Sequence, residues 1–221
     1  QPSRHCFCLQ PYLEFDVYNF TLPGHSTNLS SDIKYTDWMI SVDNKINKLV
    51  SLGYKKIYVI GHSMGGILAT YAANNHPEVK KVVLVAPAFN FLSLDDGNSF
   101  LKMIKNGPGI VKTYKAKEVF SRFLKVSITQ FKEFEKLVNL SEDMPKKISV
   151  PTLIIQGTSD QLVPYESSEN VFNSMNCPKW LVEVADVTHD VFYGVKITEI
   201  CDEILKFLRT KKYSAESIRK W

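Results

Sequence analysis

A serine stands between two glycines in segment 61–65, which reads Gly-His-Ser-Met-Gly. A short apolar run over residues 57–60 precedes it, and a helix-forming run follows from Ile67. A sharp strand-to-helix turn of this kind lifts a serine hydroxyl clear of the sheet, and we expect Gly61 and Gly65 to leave room for the crossing. The pattern predicts that Ser63 is a nucleophile, with the first amides of the helix facing any negative charge that develops there.

A serine hydroxyl is a poor nucleophile and needs a neighbouring base, most often a histidine. Three of the five histidines read as structural: His5 near the start of the chain, His62 with its side chain directed away from the serine, and His76 before a proline. His189 lies in a polar loop directly after the strand expected over residues 180–184. Open α/β sheets carry their active sites at this end of the strands, so His189 is the candidate base.

A carboxylate is needed to hold such a histidine, and Asp160 is the candidate. It follows the buried strand expected over residues 151–157, so it belongs to the same edge of the sheet as His189. The alternative is an ordinary turn aspartate. Asp186 and Asp190 are close to His189 in sequence and compete for its ring nitrogen, but we expect them to shape its loop.

The alternation of strands and helices predicts an α/β fold, a mostly parallel sheet with helices on both faces. Besides the strands named above, we expect strands over residues 15–20 and 82–86, and helices over residues 36–53, 63–76, 167–175 and 197–208. The alternation breaks at residues 91–149, where helical pieces over residues 99–105, 115–125 and 129–140 predict an inserted cap. Residues 1–90 and 150–221 then form the core, ending in a loose tail after residue 210.

With these features the chain resembles α/β-hydrolases of the carboxylesterase and monoacylglycerol-lipase-like group. The matching residues are segment 61–66, Asp160 within the pattern Gly157-x-x-Asp160-x-x-Val163-Pro164, and His189 before the last helix; the likeness covers essentially the whole chain, cap included. It implies that Ser63 is the nucleophile, that His189 acts as general base and then acid, and that Asp160 orients it. It implies neither a metal nor a cofactor.

The resemblance also implies an oxyanion hole, with one donor from the amide of Met64. The other donor of the family lies in a His-Gly loop after an earlier strand, and the residues before Phe15 hold no such loop. We therefore expect the sequence as given to begin at or just after that loop, without the first strands of the fold. Segment 22–25 matches the next loop of the family, which assigns His25 to the rim of the site.

The composition excludes several other classes. The 221 residues carry 27 basic and 23 acidic side chains, and this mild balance does not suggest nucleic-acid or membrane-surface binding. No run of about 18 apolar residues is present, so we expect no stable membrane insertion, and the first ten residues lack the apolar core of a signal peptide. The four cysteines have no zinc or redox spacing, and the expected setting is cytoplasmic. Nothing in the sequence specifies an oligomeric state.

These patterns predict a serine hydrolase that cleaves carboxylic esters of small to medium apolar acyl groups through an acyl-enzyme. Its partner is a small-molecule ester, and we expect Met64 and Phe192 to face the acyl pocket. Two alternatives stay open. The same triad serves thioesterases and enzymes that hydrolyse carbon–carbon bonds, and a domain that binds a ligand without turnover would retain the same pocket.

Overall fold

The computed structural model describes residues 15–25, 32–90, 128–160, 162–211 and 217–220. Within these ranges five strands form one parallel sheet in the order in which they occur along the chain. The strands are β1 (Ile57–His62), β2 (Val79–Val85), β3 (Thr152–Gly157), β4 (Lys179–Val184) and β5 (Ser217–Lys220). The helices are α1 (Tyr35–Ser51), α2 (Met64–Asn75), α3 (Ile128–Ser141), α4 (Tyr165–Ser174) and α5 (Ile197–Arg209).

The sheet is covered on both faces, which explains why its central strands are almost continuously apolar. Alternate residues of β2 enter different cores: Val82 and Leu84 pack with α1 and α2, whereas Val83 packs with α5 on the opposite face. Because successive side chains of a strand point to opposite faces, one apolar run can supply both layers. The predicted α/β architecture, a parallel sheet with helices on both faces, is confirmed.

Two expectations at the ends of the chain are wrong. Residues 15–20 form no strand; instead the Phe15 ring packs edge-on against Tyr58 at 5.7 Å, and the hydroxyl groups of Tyr18 and Tyr54 are hydrogen-bonded at 2.9 Å. The side chains of Phe15 and Tyr18 are therefore packed against neighbouring aromatic rings, without any backbone pairing of this segment to the five strands. Conversely, the tail that reads as loose contains β5, which pairs with β4.

The expected cap, residues 91–149, is described only from residue 128 onwards, so the predicted helices over residues 99–105 and 115–125 lie outside the described residues. Helix α3 is confirmed, and it packs against the core. Its Leu137 is fully buried in the same cluster as α1 and α2, and the Glu133 carboxylate accepts the N–H of Tyr35 at the start of α1. The division into a core and a cap remains a prediction.

Helices of the described ranges are all too short or too polar to cross a bilayer. Two of the four cysteines, Cys177 and Cys201, are described, and both are buried. In the same ranges no three histidine, cysteine or acidic side chains converge as a metal site would require.

Candidate active site

Ser63 occupies the turn between β1 and α2 with a backbone conformation that side-chain-bearing residues rarely adopt, φ 56° and ψ −121°. Backbone hydrogen bonds hold it there. Its N–H donates to Val85 O at 2.9 Å, and its carbonyl accepts from the amides of Gly66 and Ala88. A strained residue over-determined by its surroundings in this way is typical of functional sites. Among the described residues the Ser63 hydroxyl has no hydrogen-bond partner, whereas the N–H and the carbonyl of Ser63 both have one.

The two glycines of the pattern differ in the space around them. A Cβ on Gly61 would lie 2.0 Å from the carbonyl oxygen of Gly65, so only glycine fits at this crossing. A Cβ on Gly65 would meet nothing within 4 Å, and the expectation that Gly65 provides room is therefore wrong. The second close approach is at Gly66, whose Cβ would lie 2.8 Å from Pro87.

Asp160 and His189 meet at the carboxyl ends of β3 and β4. The Nδ1 atom of His189 lies 2.9 Å from Oδ2 and 3.1 Å from Oδ1 of Asp160. Both side chains are buried, with 7% of His189 and 1% of Asp160 exposed. Asp160, rather than Asp186 or Asp190, is thus the carboxylate bonded to this ring nitrogen.

The surroundings of Asp160 favour its ionised form. Burial by itself would raise the pKa of this carboxyl, but the hydrogen bond and charge of His189 and the amides of Val163 and Leu162 hold the pKa below its usual value. Those two amides donate to Oδ1 at 2.9 and 2.8 Å. Because the ionised carboxylate can only accept, the ring nitrogen facing it carries a proton, which leaves Nε2 of a neutral imidazole with its lone pair free.

The loops that carry Asp160 and His189 are joined by their own backbones. The amide of Ser159 donates to Val187 O at 3.0 Å, and the amide of Asp186 donates to the Thr158 hydroxyl at 3.1 Å. These bonds fix the two loops to each other, so the distance between the carboxylate and the imidazole does not depend on the side chains alone.

His62 links the histidine loop to the serine turn. Its Nε2–H donates to the backbone carbonyl of His189 at 2.9 Å, and the two imidazole rings lie 4.8 Å apart. The sequence identified His62 as structural, but no signal in it indicated this contact. In the described part of the chain, no hydrogen bond joins the Ser63 hydroxyl to His189. Catalytic hydrogen bonds are often long or poorly aligned in the absence of substrate, so the lack of this bond does not argue against the pairing.

An open groove of about 580 Å³ begins at Ser63 and runs along the outer edge of β1. Met64, the first residue of α2, lies beside the serine in its wall, and the amide at this position has no acceptor within its own helix. His25 is exposed in the same wall, and Phe192 also lines the groove. Most of the remaining wall is apolar, including Phe20, Leu22, Val42, Ile46, Leu49 and Leu68.

Comparison with known proteins shows which proteins this chain is similar to. Residues 3–108 match a family model described as alpha/beta hydrolase fold. A putative esterase/lipase 2 of Mycoplasma genitalium is 26% identical over 182 residues, which cover 73% of this chain and 67% of that protein. A thermostable monoacylglycerol lipase of a Bacillus species is 24% identical over 161 residues, covering 70% of this chain and 63% of the lipase.

Solved structures share the fold at lower identity. The monoacylglycerol lipase of Paleococcus ferrophilus superposes with a TM-score of 0.63 at 19% identity, over 86% of this chain and 80% of that one. A structure from a study of two metagenome-derived lipolytic enzymes, LipS and LipT, gives a TM-score of 0.67 at 20% identity, over 85% and 79% of the two chains. The chain has the α/β-hydrolase fold and is similar to proteins of the esterase and lipase group.

Proposed function

We propose that this chain hydrolyses carboxylic esters of small to medium apolar acyl groups, with Ser63 as nucleophile, His189 as base and acid, and Asp160 as orienting carboxylate. The observation that carries the proposal is the buried hydrogen bond between Asp160 and His189, formed at the sheet edge where Ser63 is held in a strained turn. Relatives named as esterases and lipases support the same reaction class.

The chemistry follows from the positions of the protons. Asp160 keeps a proton on Nδ1 of His189, so Nε2 can take the proton of the Ser63 hydroxyl while its oxygen attacks the ester carbonyl. The tetrahedral oxyanion accepts a hydrogen bond from the amide of Met64, aided by the N-terminal end of α2. The ester C–O bond then breaks, and His189 returns the proton to the departing alcohol, leaving an acyl group on Ser63.

Water completes the cycle by the same route. His189 removes a proton from a water molecule, the resulting oxygen attacks the acyl carbonyl, and the proton returns to the Ser63 oxygen as the carboxylic acid leaves. The apolar groove beside Ser63 supports an apolar acyl group as the part of the substrate that is bound. Thioesters, and carbon–carbon bonds next to a carbonyl, are alternative substrates for the same three residues.

A ligand-binding domain without turnover is the second candidate function. The observation in its favour is that the described residues include no hydrogen bond between the Ser63 hydroxyl and His189. A binding domain would retain the groove and the fold, but its serine would not be activated.

Hydrolysis of p-nitrophenyl esters of increasing acyl length tests the proposal. We expect turnover by the wild type and a loss of at least about a thousandfold in Ser63→Ala, because removing a triad nucleophile costs this much or more. Ser51→Ala is the matched control, since the Ser51 hydroxyl only bonds a carbonyl at the exposed end of α1.

A fluorophosphonate probe separates the two candidate functions. Labelling of the wild type that is lost in Ser63→Ala supports the hydrolase. A folded wild type that neither reacts with the probe nor hydrolyses any of the esters would refute the hydrolase and support the binding domain. Equal hydrolysis by the wild type and by Ser63→Ala would refute the role of Ser63.

A further inference from the structure

A buried glutamine contacts the carboxylate of Asp160. Gln156 lies in β3, four residues before Asp160, and its side chain is fully buried. Its Nε2 donates to Oδ2 of Asp160 at 3.1 Å and lies 3.2 and 3.3 Å from the carbonyl oxygens of Gly157 and Val163. Its Oε1 accepts the hydroxyl of Ser168, a buried residue of α4, at 2.7 Å.

The chemistry of these neighbours fixes the orientation of the amide. The NH₂ group faces three acceptors, one carboxylate oxygen and two carbonyl oxygens, whereas the amide oxygen faces a hydroxyl. A flipped amide would set its oxygen against all three acceptors inside a buried site, which is costly. Gln156 is therefore a donor to Asp160, and Ser168 is the group that keeps it in this orientation.

We propose that Ser168 and Gln156 form a positioning relay that fixes the second oxygen of Asp160 and thereby sets the orientation and basicity of His189. Oδ1 of Asp160 is held by two backbone amides of its own loop, whereas the hydrogen-bond donors to Oδ2 among the described residues are only Gln156 and His189. The relay carries this constraint from α4 through β3 to the imidazole. The inference rests on the proposed function, because it assigns the supports of the same site; neither relay residue touches a reacting atom.

Removing the amide donor has a defined electrostatic effect. The negative charge of Asp160 would then be shared with one donor fewer, so His189 would hold its proton more strongly. The substitutions leave the other titratable side chains near the relay in place. His62 faces the His189 ring, and Glu183, which neighbours Gln156 on β4, is hydrogen-bonded to Tyr165 of α4.

The test uses three variants and a control in the full chain: Gln156→Leu, Ser168→Ala, the double variant, and Ser174→Ala. The control removes a hydroxyl from the same helix, where Ser174 only bonds the carbonyl of Val171. We expect Gln156→Leu to lower kcat by about tenfold with little change in KM, and to move the acid limb of the pH–rate profile upward by about half a pH unit.

Ser168→Ala should lower kcat and move the acid limb upward as well, but by smaller amounts than Gln156→Leu. The double variant should be no worse than Gln156→Leu, because Ser168 acts through the glutamine. A residue with a purely structural role would lower the melting temperature without moving the acid limb. If Gln156→Leu fails to fold, Ser168→Ala carries the test by itself.

Proton NMR provides a second measurement that needs no substrate. The Nδ1 proton of His189, held by the carboxylate, gives a low-field signal, and its titration reports the basicity of the ring directly. We expect this signal to shift in both relay variants and to stay unchanged in Ser174→Ala. The relay is refuted if folded variants keep the wild-type signal and acid limb, or if the two substitutions have additive effects. A wild type without esterase activity refutes the proposed function, and the NMR titration still decides the relay.

Discussion

At the scale of single residues, the backbone of the serine turn is more constrained than its side chain. Three backbone hydrogen bonds hold Ser63 at its positive φ, and the carbonyl oxygen of Gly65 lies where a Cβ on Gly61 would be. The backbone therefore fixes the position from which the Ser63 side chain projects before any substrate arrives. Such preorganisation costs stability in the turn and lowers the reorganisation needed for attack.

The two glycines that flank this serine offer a matched pair of substitutions. Gly61→Ala should lower the free energy of unfolding by about 1–3 kcal/mol, because its methyl group can be accommodated only if the backbone moves. Gly65→Ala should leave stability unchanged or raise it by up to about 1 kcal/mol, since its Cβ is unobstructed and lies in the first turn of α2.

Gly65→Ala should affect the shape of the groove rather than the stability of the fold. Gly65 lines the groove, so the added methyl group should raise KM for the longer esters. Urea unfolding and ester kinetics on both variants check the pair. Equal loss of stability in Gly61→Ala and Gly65→Ala would contradict the different packing of the two positions.

Residue types and their spacing were sufficient to select Ser63, Asp160 and His189 as candidates, because acyl-transfer chemistry needs these side chains at strand ends. The same patterns contained no signal for Gln156 or for the contact that His62 makes. A buried glutamine in an apolar strand reads as an irregularity until its neighbours are known. The contacts of Gln156 and His62 depend on which loops lie next to each other in the fold. The spacing of residues in the sequence does not show this.

At the scale of secondary structure, one lysine of β2 holds the end of α5. The ammonium group of Lys81 is buried and donates to the carbonyl oxygens of Phe207, Leu208 and Thr210, the last turn of the helix and the residue after it. The terminal carbonyls of a helix have no intrahelical donors, and a lysine from outside can satisfy them. Burial lowers the pKa of this lysine, yet the three acceptors give its charged form a place in the core.

Lys81→Met should lower the free energy of unfolding by about 1–3 kcal/mol, because it leaves buried carbonyl oxygens without donors. Lys80→Met is the matched control on the same strand, where the side chain is exposed and the effect should stay within about 0.5 kcal/mol. Urea denaturation of both variants measures the difference. Equal midpoints for the two variants would show that Lys81 does not stabilise α5.

The elements that the sequence predicted correctly are those with a strong period. Helix α5 and strands β2 and β3 have apolar patterns that match one helix face or a fully buried strand. Residues 15–20 have an alternating pattern but form no strand, since pairing depends on a partner edge as well as on side chains. Strand β5 was missed for the converse reason: four mostly polar residues pair with β4 because that edge is available.

At the scale of the whole molecule, the parallel sheet brings together residues that are distant in sequence. Three different strands precede Ser63, Asp160 and His189. Because the carboxyl ends of parallel strands lie on the same side of a sheet, residues more than a hundred positions apart in sequence lie at one end of it. Both faces of the sheet are packed by helices, and this packing supports the strand ends that carry these residues. The pairing of Asp160 with His189 therefore draws on the stability of the whole domain.

The pairing of Asp160 with His189 predicts how the stability of the protein depends on pH. The pKa of Asp160 is lower in the folded protein than its reference value of 3.8, so the unfolded chain binds a proton more readily at this site. The stabilisation due to Asp160 is then fully present above about pH 4, the range of a free aspartate, and it is lost as pH falls through the folded pKa. Asp160→Asn cannot take part in this titration.

We expect the difference in unfolding free energy between the wild type and Asp160→Asn to shrink as pH falls from 5 to 3. The slope should not exceed about 1.4 kcal/mol per pH unit, the limit for a single proton. Other acidic groups titrate in both proteins and cancel in the comparison. Urea unfolding at closely spaced pH values measures the difference, and a difference that stays constant or grows toward low pH would show that the fold does not favour the ionised form of Asp160.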